Sequence, residues 1–210
     1  MPKRHWLTLG FAATAALTAL LTGCSSPSAA TPITKTVHPA LHKPEKTTGT
    51  RPQFENLLLM DPTPLVSKMN TMPVISVTAD EHIHVQESSG RWTTLDAMTH
   101  PVLFVAYWCP HCQRTLVMLQ KNASHMTQWP TIVFTGYPPG FPLKWAKAIE
   151  AQELRALHLH FIKDPLYLIG NADMKYITGF PYLMFKDNGK LTSLVGEHTF
   201  PVWQRAITMR

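Results

Sequence analysis

The chain has 210 residues, 45% of them hydrophobic and 15% charged, enough for one domain of ordinary size with appendages. Its formal net charge of +6 is uneven: residues 1–53 carry six Lys and Arg against Glu45 alone, whereas residues 54–210 carry 13 against 12 acids. That distribution argues against a nucleic-acid-binding face on the domain, and a basic stretch beside an anionic membrane or cell wall accounts for the excess.

Residues 1–23 read as an export signal. Lys3, Arg4 and His5 make a charged start, Leu7 to Leu21 is uncharged and rich in Leu and Ala, and small residues precede Cys24. The tetrapeptide Leu21-Thr22-Gly23-Cys24 resembles the bacterial lipobox, which implies a diacylglyceryl group on Cys24 and an extracytoplasmic, lipid-anchored protein. A plain transmembrane anchor is the alternative, but the apolar run is short for spanning and no comparable run follows. Residues 24–53 are rich in Ser, Pro, Thr, Lys and Ala and read as a flexible tether, with residues 54–210 as the domain.

Residues 54–72 are expected to form a short helix or an irregular lead-in, broken at Asp61-Pro62-Thr63-Pro64. Val74-Ile75-Ser76-Val77 and Ile83-His84-Val85 read as hairpin strands, with Ser88-Ser89-Gly90 as the turn. Val102 to Tyr107 is a continuous apolar run, as in a strand buried on both faces. A helix is expected from Pro110 to Met126, then a buried strand over Thr131 to Thr135 and a rigid loop at Pro138 to Pro142. Leu143 to Leu157 reads as a helix with Trp145, Ala148, Ile149 and Ala156 on one face, followed by a strand over His158 to Ile162. Pro181 to Phe185 and Leu191 to Val195 make a hairpin around Asn188-Gly189, and Thr199-Phe200-Pro201 opens a last helix. The whole is an α/β fold with helices flanking one central mixed sheet.

With Cys24 modified, Cys109 and Cys112 remain, so no structural disulfide is available elsewhere and the pair serves chemistry or a metal. Trp108-Cys109-Pro110-His111-Cys112 ends the buried strand and opens a helix. Unpaired N–H groups and the dipole at a helix N-terminus stabilise a thiolate. Pro110 fits the first turn, where its missing N–H costs nothing. Cys109 is expected to be the exposed, low-pKa attacker and Cys112 its partner one turn further in. A protonated His111 adds positive charge beside the thiolate.

The stretch Ala106-Tyr107-Trp108-Cys109-Pro110-His111-Cys112 resembles the active site of DsbA-type disulfide oxidases of the thioredoxin superfamily. Gly179-Phe180-Pro181 resembles the superfamily's cis-proline loop. The resemblance implies a cis Pro181 facing the CxxC, with Trp108, Phe180 and Pro181 contacting a substrate strand. The interval from Cys112 to Pro181, the N-terminal hairpin, Trp92-Thr93-Thr94-Leu95 and the lipid anchor resemble TlpA/ResA-type membrane-tethered thioredoxins. That layout implies one extra strand–helix insertion between the CxxC helix and the cis-proline strand. Two positions depart from the pattern. Leu103 stands where the family often has a buried Asp, Glu or Asn, and Phe180 is bulkier than the usual Thr or Val.

These readings imply a thiol–disulfide oxidoreductase acting on cysteines of exported proteins, expected as an oxidase with a membrane redox partner and no dissociable cofactor. A TlpA/ResA-type reductase and a Cu(I)-binding lipoprotein are the alternatives. No metal site is expected: zinc lacks a second ligand pair, and copper chaperones of the SCO type have a CxxxC spacing. His82, His84, His158 and His160 read as exposed strand histidines, and Met60, Met69 and Met72 as core filler.

Overall fold

The computed structural model describes residues 53–74, 82–169 and 176–209, all within one compact unit, Pro44–Arg210. The expected signal peptide, Cys24 and the tether up to residue 52 lie outside the described residues. In chain order the strands are β1 (Met72–Pro73), β2 (Ile83–Glu87), β3 (Trp92–Leu95), β4 (Val102–Ala106), β5 (Thr131–Tyr137), β6 (Leu166–Ile169), β7 (Tyr182–Asp187) and β8 (Lys190–Val195). The helices are α1 (Pro110–Lys121), α2 (Leu143–Ala156) and α3 (Phe200–Thr208).

All these strands join one sheet in the order β1-β8-β7-β4-β5-β6-β2-β3. β4, β5 and β6 run parallel, and the remaining pairings are antiparallel. The apolar run of β4 is buried along its whole length. Its side chains alternate between two core clusters, Leu103 and Val105 in one, Val102 and Phe104 in the other, as a strand covered on both faces requires.

The chain steps from β4 through α1 to β5 and through α2 to β6, moving the same way across the sheet each time. Right-handed crossovers therefore place α1 and α2 on one face. Burial agrees. Leu116 and Leu119 of α1, Ala146 of α2, and Val202, Trp203, Ala206 and Ile207 of α3 all enter the cluster that holds Cys109 and Cys112. Parallel strands leading into a CxxC helix, an antiparallel strand opened by Pro181, a closing hairpin and a final helix make the thioredoxin-like fold that the resemblance implied.

Several local expectations are corrected. The expected strand over Val74 to Val77 lies outside the described residues beyond Val74, and Ile83–Glu87 pairs with Trp92–Leu95. The turn between them contains Gly90 at φ 93°, and it closes onto the strand that follows. Val74 instead donates its N–H to the Leu191 carbonyl at 3.2 Å, beside β8, and residues 75–81 lie outside the described ones. The strand expected over His158 to Ile162 is absent, and the strand lies at Leu166–Ile169. The reason is capping. His158 turns left-handed (φ 53°) and donates to the Arg155 carbonyl, and Leu159 donates to the Leu154 carbonyl, a Schellman ending for α2. The next two amides, His160 and Phe161, go to Gln120 Oε1, so four successive N–H groups from His158 to Phe161 are committed away from a ladder.

The buried face of α2 is Ala146, Ile149, Glu150 and Glu153, and Ala156 is exposed. The lead-in is irregular, with Met60 and Met72 exposed; only Met69 packs against the core. His158 and His160 are exposed but belong to no strand. Among the described residues no helix is long and apolar enough to cross a membrane.

Candidate active site

Cys109 is the N-cap of α1, with extended backbone (φ −99°, ψ 113°), and Pro110 follows in the first turn. Its sulfur occupies the place that a Ser or Asp oxygen takes at other helix starts and accepts the Cys112 N–H at 3.4 Å. The Cys109 thiol is pulled below its ordinary value. The hydrogen bond from the Cys112 thiol contributes most, and the backbone N–H groups of Cys112 and His111 add to it, against burial and the charge of Glu197. The sequence expectation of an exposed sulfur does not hold: Cys109 is only 4% exposed.

Cys112 is fully buried and has the opposite character. Burial raises its thiol well above the ordinary value, reinforced by the Cys109 sulfur, while the Ala106 N–H reaches it at 3.4 Å. Glu153 of α2 also raises it. That side chain is 1% exposed, and its Oε2 has no hydrogen-bond partner among the described residues. Burial first, then Glu150 and the Cys109 sulfur, push its carboxyl up to about 8. A carboxyl in that range holds its proton at neutral pH and can pass it on. Leu103 does lie buried in β4 without a titratable group, and the acid comes from α2 instead. The sequence held a signal for it: Ala146, Ile149, Glu150 and Glu153 share one helical stripe, so two acids sit where apolar residues are expected.

His111 does not turn its imidazole freely toward the thiol. Its Nδ1 lies 2.7 Å from Glu197 Oε2 and 2.8 Å from Arg114 Nη2. Arg114 clamps the same carboxylate through Nε to Oε1 and Nη2 to Oε2, both at 2.8 Å. Burial opposes ionisation of Glu197, but the hydrogen bonds of Arg114 and His111 outweigh it and hold the carboxyl below its ordinary range. Arg114 also donates to the carbonyls of Leu58, Met60 and Asp61. Beside it, buried Gln113 accepts the Leu57 N–H at 2.8 Å and donates to the Glu55 carbonyl at 2.9 Å. The two residues after Cys112 thus fasten the lead-in to α1. The partners in Glu197 and the lead-in were not legible, because each lies 53 or more positions away in the chain.

The Phe180–Pro181 peptide bond is cis. Phe180 stands edge-on to Trp108, with ring centroids 5.8 Å apart. Trp108 Nε1 donates to the Gly136 carbonyl at 3.0 Å. Gly136 has φ 79°, and a Cβ there would fall 2.8 Å from that indole nitrogen, so only glycine fits. Tyr107, Tyr137 and Phe141 continue an aromatic stack beside the site. Among the described residues no group of three or more His, Cys, Asp or Glu is arranged to hold a metal ion.

No family model matches the chain, and no curated protein matches it. Solved structures similar to it include StoA from Bacillus subtilis, at 12% identity and a TM-score of 0.41 over 63% of this chain and 98% of that one. A secreted Mycobacterium tuberculosis disulfide oxidoreductase homologous to E. coli DsbE is similar at 15% identity and TM-score 0.36, over 62% of this chain and 96% of that one. A secreted thiol-disulfide isomerase from Corynebacterium glutamicum is similar at 14% identity and TM-score 0.43, over 69% and 95%. Similarities this distant assign no activity to this chain.

Proposed function

We propose that the chain is an extracytoplasmic thiol–disulfide oxidoreductase, anchored through a lipid on Cys24, that oxidises cysteines of exported proteins. The observation that carries this reading is the asymmetry of the pair: Cys109, capping a helix, has a lowered thiol, while buried Cys112 has a raised one. In the disulfide form a substrate thiolate attacks the Cys109 sulfur. The bond to Cys112 breaks, and Cys112 takes up a proton, for which buried Glu153, whose charge acts on Cys112, is the candidate donor. A second substrate thiolate then attacks the substrate sulfur of the mixed disulfide and releases Cys109 as a thiolate, a good leaving group because its thiol is acidic. The enzyme ends as the dithiol and the substrate as the disulfide, and a membrane redox partner restores the enzyme. Trp108, Phe180 and Pro181 border the place where the substrate strand docks.

The Glu197 charge, which opposes ionisation of Cys109, favours the second reading, a TlpA/ResA-type reductase. Replacing the resolving residue decides whether exchange occurs at all. Cys112→Ser should accumulate mixed disulfides with exported proteins, released by dithiothreitol, and Cys109→Ser,Cys112→Ser should accumulate none. Equal yields from both would remove the exchange reading. A reduction potential near about −120 mV supports the oxidant, and one near about −270 mV the reductase.

A further inference from the structure

Glu197 belongs to no helix or strand and comes from the loop between β8 and α3, 85 positions after Cys112. Its environment is nevertheless built. The carboxylate is 3% exposed, gripped on both oxygens by Arg114, and touched on Oε2 by His111 Nδ1 and by Thr63 Oγ1 at 3.3 Å. The preceding Gly196 donates its N–H to the Pro181 carbonyl at 2.9 Å, which ties this loop to the cis-proline.

His111 Nδ1 has two neighbours that ask opposite things of it. Toward Glu197 it must carry a proton and donate. Toward Arg114, which has only donors, it must offer a lone pair. A charged imidazole is therefore drawn to the carboxylate, where its charge is neutralised. A neutral one leaves no positive ring to act on the sulfur. In both states the positive charge that a CPHC motif offers its first cysteine is reduced.

We propose that Glu197 is a positioning residue that sets the reduction potential of the Cys109–Cys112 pair: by holding His111 Nδ1, it withdraws imidazolium charge from the Cys109 thiolate and makes the disulfide a weaker oxidant than its CPHC motif alone would be. The inference rests on the thiol–disulfide exchange reading above. The half-reaction it affects takes two electrons and one proton, converting the disulfide to the Cys109 thiolate and the Cys112 thiol. In the test two glutathione thiols supply the electrons and become glutathione disulfide.

The experiment measures that equilibrium in full-length protein for wild type and Glu197→Gln, which keeps the shape and loses the charge. Arg114 retains its three carbonyl acceptors in the variant, and Glu197→Asp provides a second, milder displacement of the carboxylate from His111. The expected result is a shift of roughly tenfold toward the dithiol for Glu197→Gln, about 30 mV, with a smaller shift of the same sign for Glu197→Asp. The Cys109 thiolate absorbance near 240 nm should persist to lower pH in step. In a His111→Ala background the effect of Glu197→Gln should shrink to the smaller direct action of the Glu197 charge on Cys109. An unchanged constant in Glu197→Gln overturns the proposal, as does a full tenfold effect that survives without His111. A wild type that reaches no equilibrium with glutathione would instead sink the exchange reading itself.

Discussion

Glu153 carries its carboxyl where water scarcely reaches, and the cost of that placement depends on pH. Its folded-state value of about 8 stands above the ordinary 4.5, so the folded chain binds this proton more tightly than the unfolded chain does. Between those two values stability falls as pH rises, and above about 8 the loss is complete. Glu153→Gln should therefore stabilise the oxidised protein, in which neither thiol titrates. The gain should be small at pH 5 and larger by on the order of 3 kcal/mol at pH 8, an upper bound from the size of the shift. Urea unfolding at the two pH values checks this, and a gain that does not depend on pH would contradict it. The variant should also slow the release of Cys112 from the disulfide. At this scale the sequence singled out Cys109 and Cys112, and the structure sets them at the start of α1 as expected, because a CxxC between a buried strand and a helix start has few other readings. It did not identify Glu153, Arg114 or Glu197, whose roles arise only when α2, α1 and the loop before α3 meet. It also overstated the exposure of Cys109, because spacing along a helix says nothing of what folds over its N-terminus.

Elements were legible where one local cause dominated. β4 followed from its apolar run, and the β7–β8 hairpin from Asn188 and Gly189, both left-handed at φ 50° and 75° as a tight two-residue turn requires. They were misread where a distant partner decided. His158 to Ile162 has the alternation of a strand, yet its amides are spent on the α2 cap and on Gln120. The lead-in looked like a helix or a loose strip, and its path is set by Gln113, which sits on α1 with its amide fully engaged. Gln113→Leu would bury no new polar atom of its own but would strip partners from the Leu57 N–H and the Glu55 carbonyl. Loss of such buried partners costs about 1–3 kcal/mol per group. The expected outcome is faster amide exchange and faster proteolysis confined to residues 54–61, with the sheet still protected. Protection unchanged at Leu57 would show that other contacts hold the strip.

For the whole molecule, charge and cysteine count were the readable quantities. They place the basic excess in residues 1–53 and leave the domain near neutrality. If Cys24 carries the lipid, Cys24→Ser should move the protein from the detergent-rich phase to the aqueous phase while leaving glutathione equilibration unchanged. Continued detergent partitioning would point to a plain transmembrane anchor. The arrangement of helices was less readable than the element order, since nothing in the local pattern says that α1, α2 and α3 all feed one core cluster. Topology says it for α1 and α2, through the common direction of the two crossovers, and burial says it for α3.

The chain enters the described fold at Gln53 and Phe54, and the bonds it meets first have a mechanical meaning. Phe54 donates its N–H to Gln152 of α2, and Glu55 and Leu57 are held by Gln113, next to Cys112. A tug from upstream would load the two helices that carry Cys112 and Glu153 before it reached any strand of the sheet. Cys109 and Cys112 thus lie close to the point where a pull from upstream is delivered.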